Sequence, residues 1–342
     1  MAEQILIWGA GAIGGSVGAW LKRAGHDVTF VDVVAEHVAA IRDRSQGLRI
    51  SGPVEEFTVT APAFTPAELS GRWQRIFLAV KAQNTDAATR ALAPFLADDG
   101  AVLSLQNGLN ETIIAGIVGR PRTIGAFINF GADWMAPGEI MFGNRGAVVI
   151  GELDGQTTPR LQKLHAVLRD FESDAIVTND IWAYLWGKLG YGAMLFAQAL
   201  GEAGIADCLA RPELLPLWRA LGAEAIRVAK AEGVRPRGFN GFEIDAFRPG
   251  ASEAAARACV AAMSDFNRGS AKTHSGIWRD LWVRKRRTEV DVQILPIVEH
   301  GARRGIDCPA SRRLVEMIHE AEQGRRPMSD GNLLELARSI AA

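Results

Sequence analysis

The chain has 342 residues, 48% of them hydrophobic, and a formal net charge of −1. That is enough apolar material for about two domains of roughly 150 residues each, and the near-zero charge excludes a global attraction to nucleic acid or to an anionic membrane. Three cysteines, Cys208, Cys259 and Cys308, are too scattered for a disulfide framework or a zinc site, so no metal is expected.

The cysteine usage suits a reducing compartment. The N-terminus shows neither the basic start nor the long apolar run of a secretory signal, so a cytoplasmic location is expected.

The chain begins with strand-like and helix-like runs in alternation. "QILIWG" and "DVTFVD" are short, apolar and β-rich, and between them "GAIGGSVGAWLKRAG" reads as a helix closing on Gly25. Further strands are expected at "RIFLAV", "AVLSLQ", "TIGAFIN", "GAVVIGE" and "DAIVTN", with a periodic helix at "TPRLQKLHAVLRDFES". Alternation of this kind predicts an α/β domain with a parallel, doubly wound sheet. After Asn179 the strand signals stop. Helical patterns follow at 181–201, "PELLPLWRALGAEAIRVAKAEG", "SEAAARACVAAMSDFN", "TEVDVQILPIVEHGARRG" and "PASRRLVEMIHEAEQG". The division is therefore 1–179 for the α/β domain and 180–342 for an all-helical C-terminal domain.

Within "WGAGAIGG", Gly9, Gly11 and Gly14 form G-x-G-x-x-G between a strand and a helix. The first glycine permits the tight turn, the second a close approach of backbone to a pyrophosphate, and the third the packing of helix on strand. Ala12 and Ile13 open the helix, whose N-terminus then faces the phosphates. This is the signature of a Rossmann-type dinucleotide site. Asp32 ends the second strand, where a carboxylate accepts hydrogen bonds from ribose hydroxyls and repels a 2′-phosphate. No Arg or Lys lies between Asp32 and Arg42, so NAD is expected in preference to NADP. The competing role for Asp32 is to cap the next helix.

Lys81 follows one strand and Asn107 another, at the sheet edge where ligands bind in open parallel sheets. Each is also a natural turn residue, Asn107-Gly108 above all. In "IWAYLWGKLGYGAMLFAQALG" the single charge is Lys188. The stretch has the length of a membrane span, but its four glycines, Gln198 and the absence of a second such stretch favour a buried helix. A lysine there needs a partner or a task. It either snorkels to solvent or exchanges a proton with a substrate oxygen. Glu289 precedes an apolar helix, as its cap or as a partner for Lys188. His274 and Ser275 are loop polar groups or substrate ligands. The basic run Arg284 to Arg287 is most simply a solvated face.

The order and spacing of "GAGAIGG", "VKAQNT", "QNGLNE", "WGKL", "RDL…RRTEVD" and "RRGIDCPASRRLVEMI" resemble the ketopantoate reductase (2-dehydropantoate 2-reductase) family over nearly the whole chain. The resemblance implies a Rossmann domain, a helical domain, a cleft between them, and reduction of a 2-oxo acid with a nicotinamide cofactor. It implies that Lys188 is the catalytic lysine, that Asn107 lies near nicotinamide and substrate, that Lys81 is a cleft lysine contacting both, and that Glu289 is an active-site glutamate. It also implies a homodimer through the helical domain.

Departures from the family pattern fall at the substrate. Gly192 and Phe196 stand where the family has asparagines, and Gly276, beside Ser275, stands where it has a serine. Asp32 departs from the family's usual NADPH. The expectation is an NAD-dependent oxidoreductase that interconverts a secondary alcohol, either a 2-hydroxy acid or a bulkier aromatic alcohol, and its ketone. Ketopantoate reduction is the alternative, and a catalytically silent NAD-binding sensor is a third.

Overall fold

The computed structural model describes residues 3–341, which divide into two units with the boundary between Ile181 and Trp182. The first unit runs β1 (Gln4–Trp8), α1 (Ala12–Arg23), β2 (Asp27–Val31), α2 (Ala35–Arg42), β3 (Leu48–Ser51), β4 (Phe57–Val59) and β5 (Ala63–Phe64). It continues with β6 (Trp73–Leu78), α3 (Thr85–Leu92), β7 (Leu96–Ser104), α4 (Glu111–Val118), β8 (Thr123–Ile128), β9 (Gly131–Ala136), β10 (Glu139–Asn144), β11 (Val148–Glu152), α5 (Pro159–Arg169) and β12 (Ile176–Val177).

Eight strands form the main sheet in the order β12-β11-β8-β7-β6-β1-β2-β5. The pleat sends alternate side chains to opposite faces. Ile5 and Ile7 therefore join one apolar core, while Leu6 and Trp8 join the other. The expected parallel order holds from β5 to β8. β11 then pairs antiparallel with β8, because a hairpin rather than a crossover helix connects them.

That hairpin is β9 and β10, and it belongs to a second sheet, β4-β3-β10-β9, which the sequence expectations lack. Its strands are short, and two of them, "LRIS" and "FTV", alternate over only 4 and 3 residues, too few to stand out. The second sheet packs on α1, whose small residues admit close approach on both sides. A Cβ at Gly18 would meet Phe30 of the main sheet at 2.4 Å, and one at Gly15 would meet Ile140 of the second at 2.3 Å. Trp20 of α1 packs against Phe57, Phe142 and Phe171 with ring centroids at 4.7, 4.6 and 5.8 Å.

The second unit holds α6 (Ile181–Gln198), α7 (Ile205–Ala210), α8 (Leu215–Ala231), α9 (Glu253–Arg268), a short α10 (Gly276–Trp278) leading into a π-turn, α11 (Val290–Gln293), α12 (Leu295–Arg303), α13 (Pro309–Glu322) and α14 (Gly331–Ala341). The single helix expected over "TEVDVQILPIVEHGARRG" is two. It breaks at Ile294, before Pro296, which cannot donate the next helical hydrogen bond. α6 ends at Gln198, and Ala199 to Gly201 form its closing turn. No described helix is long and apolar enough to cross a membrane.

The Pro/Gly-rich loop after α8 lies along α6. Arg237 N–H donates to Ala183 O at 2.9 Å, and a Cβ at Gly187 would stand 2.0 Å from Arg237 O. The glycine of "WGKL" is thus required by backbone packing one residue before the lysine. The cysteines are buried and reduced. Burial pushes the Cys208 thiol up to about 12, and the Cys259 and Cys308 thiols up to about 11, so they are poor nucleophiles.

Candidate active site

The glycine loop meets the geometric demands of a dinucleotide cradle. Gly9 has φ +98°, a conformation that glycine adopts without strain. A Cβ at Gly14 would stand 2.0 Å from Gly9 O, so this glycine closes the helix onto the loop. A Cβ at Gly11 would meet nothing within 4 Å. Gly11 is therefore not required by packing within the protein, and it leaves an open approach to the backbone. It is also the N-cap of α1, and no side chain caps that end. Gly11, Ala12 and Ile13 keep partial exposure while Gly14 is buried. An uncapped, accessible helix N-terminus beside an open glycine fits the pyrophosphate of a nicotinamide dinucleotide.

Asp32 does not cap α2, whose N-cap is Val34 with no side-chain bond. Its Oδ2 accepts from Ala10 N at 2.8 Å and its Oδ1 from Val34 N at 3.0 Å. The carboxylate is half-buried, and each oxygen retains a further lone pair for a ribose hydroxyl. Next to it Val33 is 81% exposed, where an NADP site would need a cation.

His37 is a residue the sequence did not single out. Its Nδ1 accepts from Gly138 N at 2.9 Å, so the proton sits on Nε2, which donates to Ala10 O at 2.8 Å. Ala10 is thus held by Asp32 at its N–H and by His37 at its carbonyl.

Lys81 and Asn107 sit on adjacent loops, after β6 and β7, both half-buried. Gly108 takes φ +102°, as the Asn-Gly signal predicts. A buried network the sequence did not reveal joins the two loops. Gln106 Nε2 donates to Val80 O at 2.9 Å and to Thr85 Oγ1 at 2.8 Å. The Thr85 hydroxyl lies 2.9 Å from Asn110 Oδ1, and Asn110 Nδ2 donates to Asn107 O at 2.6 Å. Thr85, Gln106 and Asn110 are 0%, 4% and 2% exposed, so the bonds form away from water and fix the backbone on which Lys81 and Asn107 stand. "QNTD" and "LQNGLN" show polar runs, but nothing in them says which member points inward.

In the second unit Lys188 lies half-buried on α6. One turn on, a Cβ at Gly192 would meet nothing nearer than Gln293 Oε1 at 3.9 Å and Ile294 Cδ1 at 4.0 Å. Gln293 and Ile294 follow Glu289 by one helical turn, so the fold brings the "WGKL" helix and the "TEVD" turn together. Glu289 is 7% exposed and occupies the N-cap position of α11, yet its side chain makes no capping bond. Thr288 does that work, accepting from Val290 N at 3.2 Å while donating to Glu322 at 2.7 Å. Phe196, a further turn along α6, is fully buried.

His274, Ser275 and the tryptophans cluster where α6 ends, about 15 Å along its axis from Lys188 at 1.5 Å per residue. His274 stacks on Trp278 at 4.0 Å, and its ring nitrogens meet Thr273 Oγ1 and Glu202 O at 2.9 and 3.1 Å. Ser275 caps α10 by accepting from Trp278 N at 3.1 Å. Gly276 has open space where a Cβ would be. The indoles of Trp278 and Trp282 donate to Gly201 O and Ala199 O at 3.2 and 3.1 Å. Asn332 donates to Leu200 O at 3.0 Å. These donors satisfy carbonyls that a helix end leaves orphaned. The basic run is not merely solvated: Arg284 and Arg286 fold back onto the buried Asp280 at 3.3 and 2.8 Å. Among the described residues no cluster of His, Cys, Asp and Glu has the makings of a metal site.

Comparison with known proteins extends this picture. The family model "Ketopantoate reductase PanE/ApbA" matches residues 5–155, and its C-terminal companion matches residues 180–322. The chain belongs to the ketopantoate reductase family. A 2-dehydropantoate 2-reductase of Archaeoglobus fulgidus is 31% identical over 328 residues, covering 94% of this chain and 99% of the relative. Among solved structures, a PanE/ApbA family ketopantoate reductase from Ralstonia eutropha JMP134 aligns with TM-score 0.77 at 25% identity, over 94% of this chain and 99% of that one. A D-mandelate dehydrogenase, solved with NADH and anilino(oxo)acetate, aligns with TM-score 0.82 at 22% identity over the same shares. The chain is thus a nicotinamide-dependent oxidoreductase that interconverts a secondary alcohol and a ketone.

Proposed function

We propose that this enzyme uses NAD(H) to interconvert a 2-hydroxy acid and its 2-oxo acid, with a side chain bulkier than that of pantoate, in the cytoplasm and as a homodimer. The observation that carries the substrate part is Gly192. It stands one turn from Lys188, and the nearest groups to its missing Cβ are 3.9 and 4.0 Å away. Where the family resemblance implies an asparagine gripping a polar substrate group, this helix offers space. The D-mandelate dehydrogenase likeness supports the reading only as precedent, since it shows that this fold accommodates an aromatic 2-hydroxy acid.

A nicotinamide held by the glycine loop and Asp32 would supply the hydride chemistry at the substrate carbon. Lys188 handles the accompanying proton. Its ammonium gives a proton to the carbonyl oxygen in reduction, and its neutral amine takes the hydroxyl proton in oxidation. Glu289, relieved of capping by Thr288, orients the lysine or a substrate hydroxyl. Asn107 and Lys81 position carboxylate and carbonyl from loops braced by Gln106 and Thr85. Asp32 selects NAD by accepting from ribose hydroxyls and repelling a 2′-phosphate.

Ketopantoate reduction is the second reading, favoured by the names of the curated relatives. An NAD+ reduction screen over 2-hydroxy acids, pantoate and mandelate included, separates the two. Pantoate as the best substrate would favour the second. The silent-sensor reading finds no support in the family.

A further inference from the structure

Gln293 is the last residue of α11 and is 6% exposed. Its backbone N–H is satisfied, donating to Glu289 O at 3.0 Å. Its side-chain amide makes no hydrogen bond among the described residues, yet neither of its polar atoms is sealed from solvent. A buried amide without a partner is costly, and native structures rarely keep one without a reason. Packing does not supply the reason. Between 290 and 297 the buried residues are Val290, Gln293, Ile294 and Ile297. This is the inward stripe of a helical pattern, which leucine or methionine would complete with no polar group to desolvate.

The amide is turned toward α6. Gln293 Oε1 stands 3.9 Å from the position a Cβ would take at Gly192, and the other group that close is Ile294 Cδ1, at 4.0 Å. Gly192 lies one turn from Lys188 on α6, and Gln293 lies one turn from Glu289, so each pair shares a helix face. Gln293 is thus the polar group beside the space that Gly192 leaves open next to the lysine. The atom facing that space is an acceptor. Its partner must bring a proton, as a hydroxyl or an amide N–H does and a carboxylate does not.

We infer that Gln293 is a specificity-determining residue, its amide oxygen accepting a hydrogen bond from a hydroxyl on the substrate's side chain, over Gly192. The inference rests on the proposed 2-hydroxy acid function and narrows its substrate class. With the reacting carbon at Lys188, the hydroxyl stands about one helical pitch away, ~5.4 Å. The para hydroxyl of 4-hydroxyphenylglyoxylate, roughly 5.5 Å from the reacting carbon, matches that pitch. The polar contact that the family resemblance implies from an asparagine on α6 is then made from α11 instead.

The test measures kcat/KM for 4-hydroxyphenylglyoxylate and for phenylglyoxylate, with NADH and the full-length enzyme, in wild type, Gln293→Leu and Gly192→Ser. The wild type should favour the hydroxylated acid. That preference should fall at least tenfold in Gln293→Leu, through the KM of the hydroxylated acid, because a site built to pair a substrate hydroxyl discriminates by that bond. Gly192→Ser keeps Gln293 but sets a hydroxyl one bond beyond a Cβ that is 3.9 Å from Oε1. It should lower the same ratio by occupying the acceptor, and it decides alone if Gln293→Leu fails to fold. An unchanged ratio in either folded variant, including equal losses with both acids, would reduce Gln293 to packing and overturn the inference. So would a wild type that does not favour the hydroxylated acid. Both results would leave the 2-hydroxy acid function standing. Turnover of neither aryl acid by the wild type, alongside efficient turnover of ketopantoate, would remove the function reading and this inference together.

Discussion

Asp32 and Ala10 are joined by a hydrogen bond of 2.8 Å from the loop amide to carboxylate Oδ2, so the residue proposed to select the cofactor also shapes the glycine loop. The unmodified enzyme should prefer NAD(H) over NADP(H) by at least tenfold, about 1.4 kcal/mol, in side-by-side titrations. Asp32→Ser combined with Val33→Arg should move that preference toward NADP(H). Because the variant loses the Ala10 anchor, it should also be less stable, by about 1–3 kcal/mol for an unpaired buried amide. A full switch of cofactor with no loss of stability would contradict the double role.

The glycine loop permits a sharper separation of folding from binding. Gly14→Ala places a Cβ 2.0 Å from Gly9 O and should lower Tm markedly. Gly11→Ala meets no protein atom within 4 Å and should leave Tm nearly unchanged while weakening cofactor binding at least tenfold, about 1.4 kcal/mol. Thermal melts and fluorescence titration of NADH read both quantities. Normal NADH affinity in Gly11→Ala would place the pyrophosphate elsewhere.

Gln106 and Thr85 form the bond that braces the Lys81 and Asn107 loops. Gln106→Leu and Thr85→Val should each destabilise the protein by about 1–3 kcal/mol, and the double variant should cost less than their sum by about 0.5 kcal/mol or more. Activity should fall in both through kcat. Strict additivity in denaturant melts would mean that the two side chains act independently.

Much of this was legible in the sequence, and the limits have physical causes. The glycine spacing, Asp32 and the apolar alternation of "ILIW" report local geometry, so β1, α1, β2 and the cradle follow from them. The second sheet escaped because β3 and β4 are short, and β3 pairs with β10 some ninety residues away. His37, Gln106 and Thr85 escaped because their roles depend on tertiary partners that no local pattern encodes. Trp278 and Trp282 cap α6 with their indole N–H groups, a demand that appears only once the helix end is known. Lys188 was visible as a lone charge in an apolar helix, and its half-buried position agrees with that.

The central claim joins Lys188 to a widened 2-oxo acid site, and one experiment addresses both. Initial rates of NADH oxidation are measured with ketopantoate and phenylglyoxylate, in wild type and in Lys188→Ala. The account predicts a higher kcat/KM for phenylglyoxylate in the wild type and a loss of at least ~10²-fold in kcat on removing the lysine, the scale of one general acid–base group. NADH affinity should be retained in the variant. Ketopantoate as the better substrate, or near-normal turnover by Lys188→Ala, would contradict it.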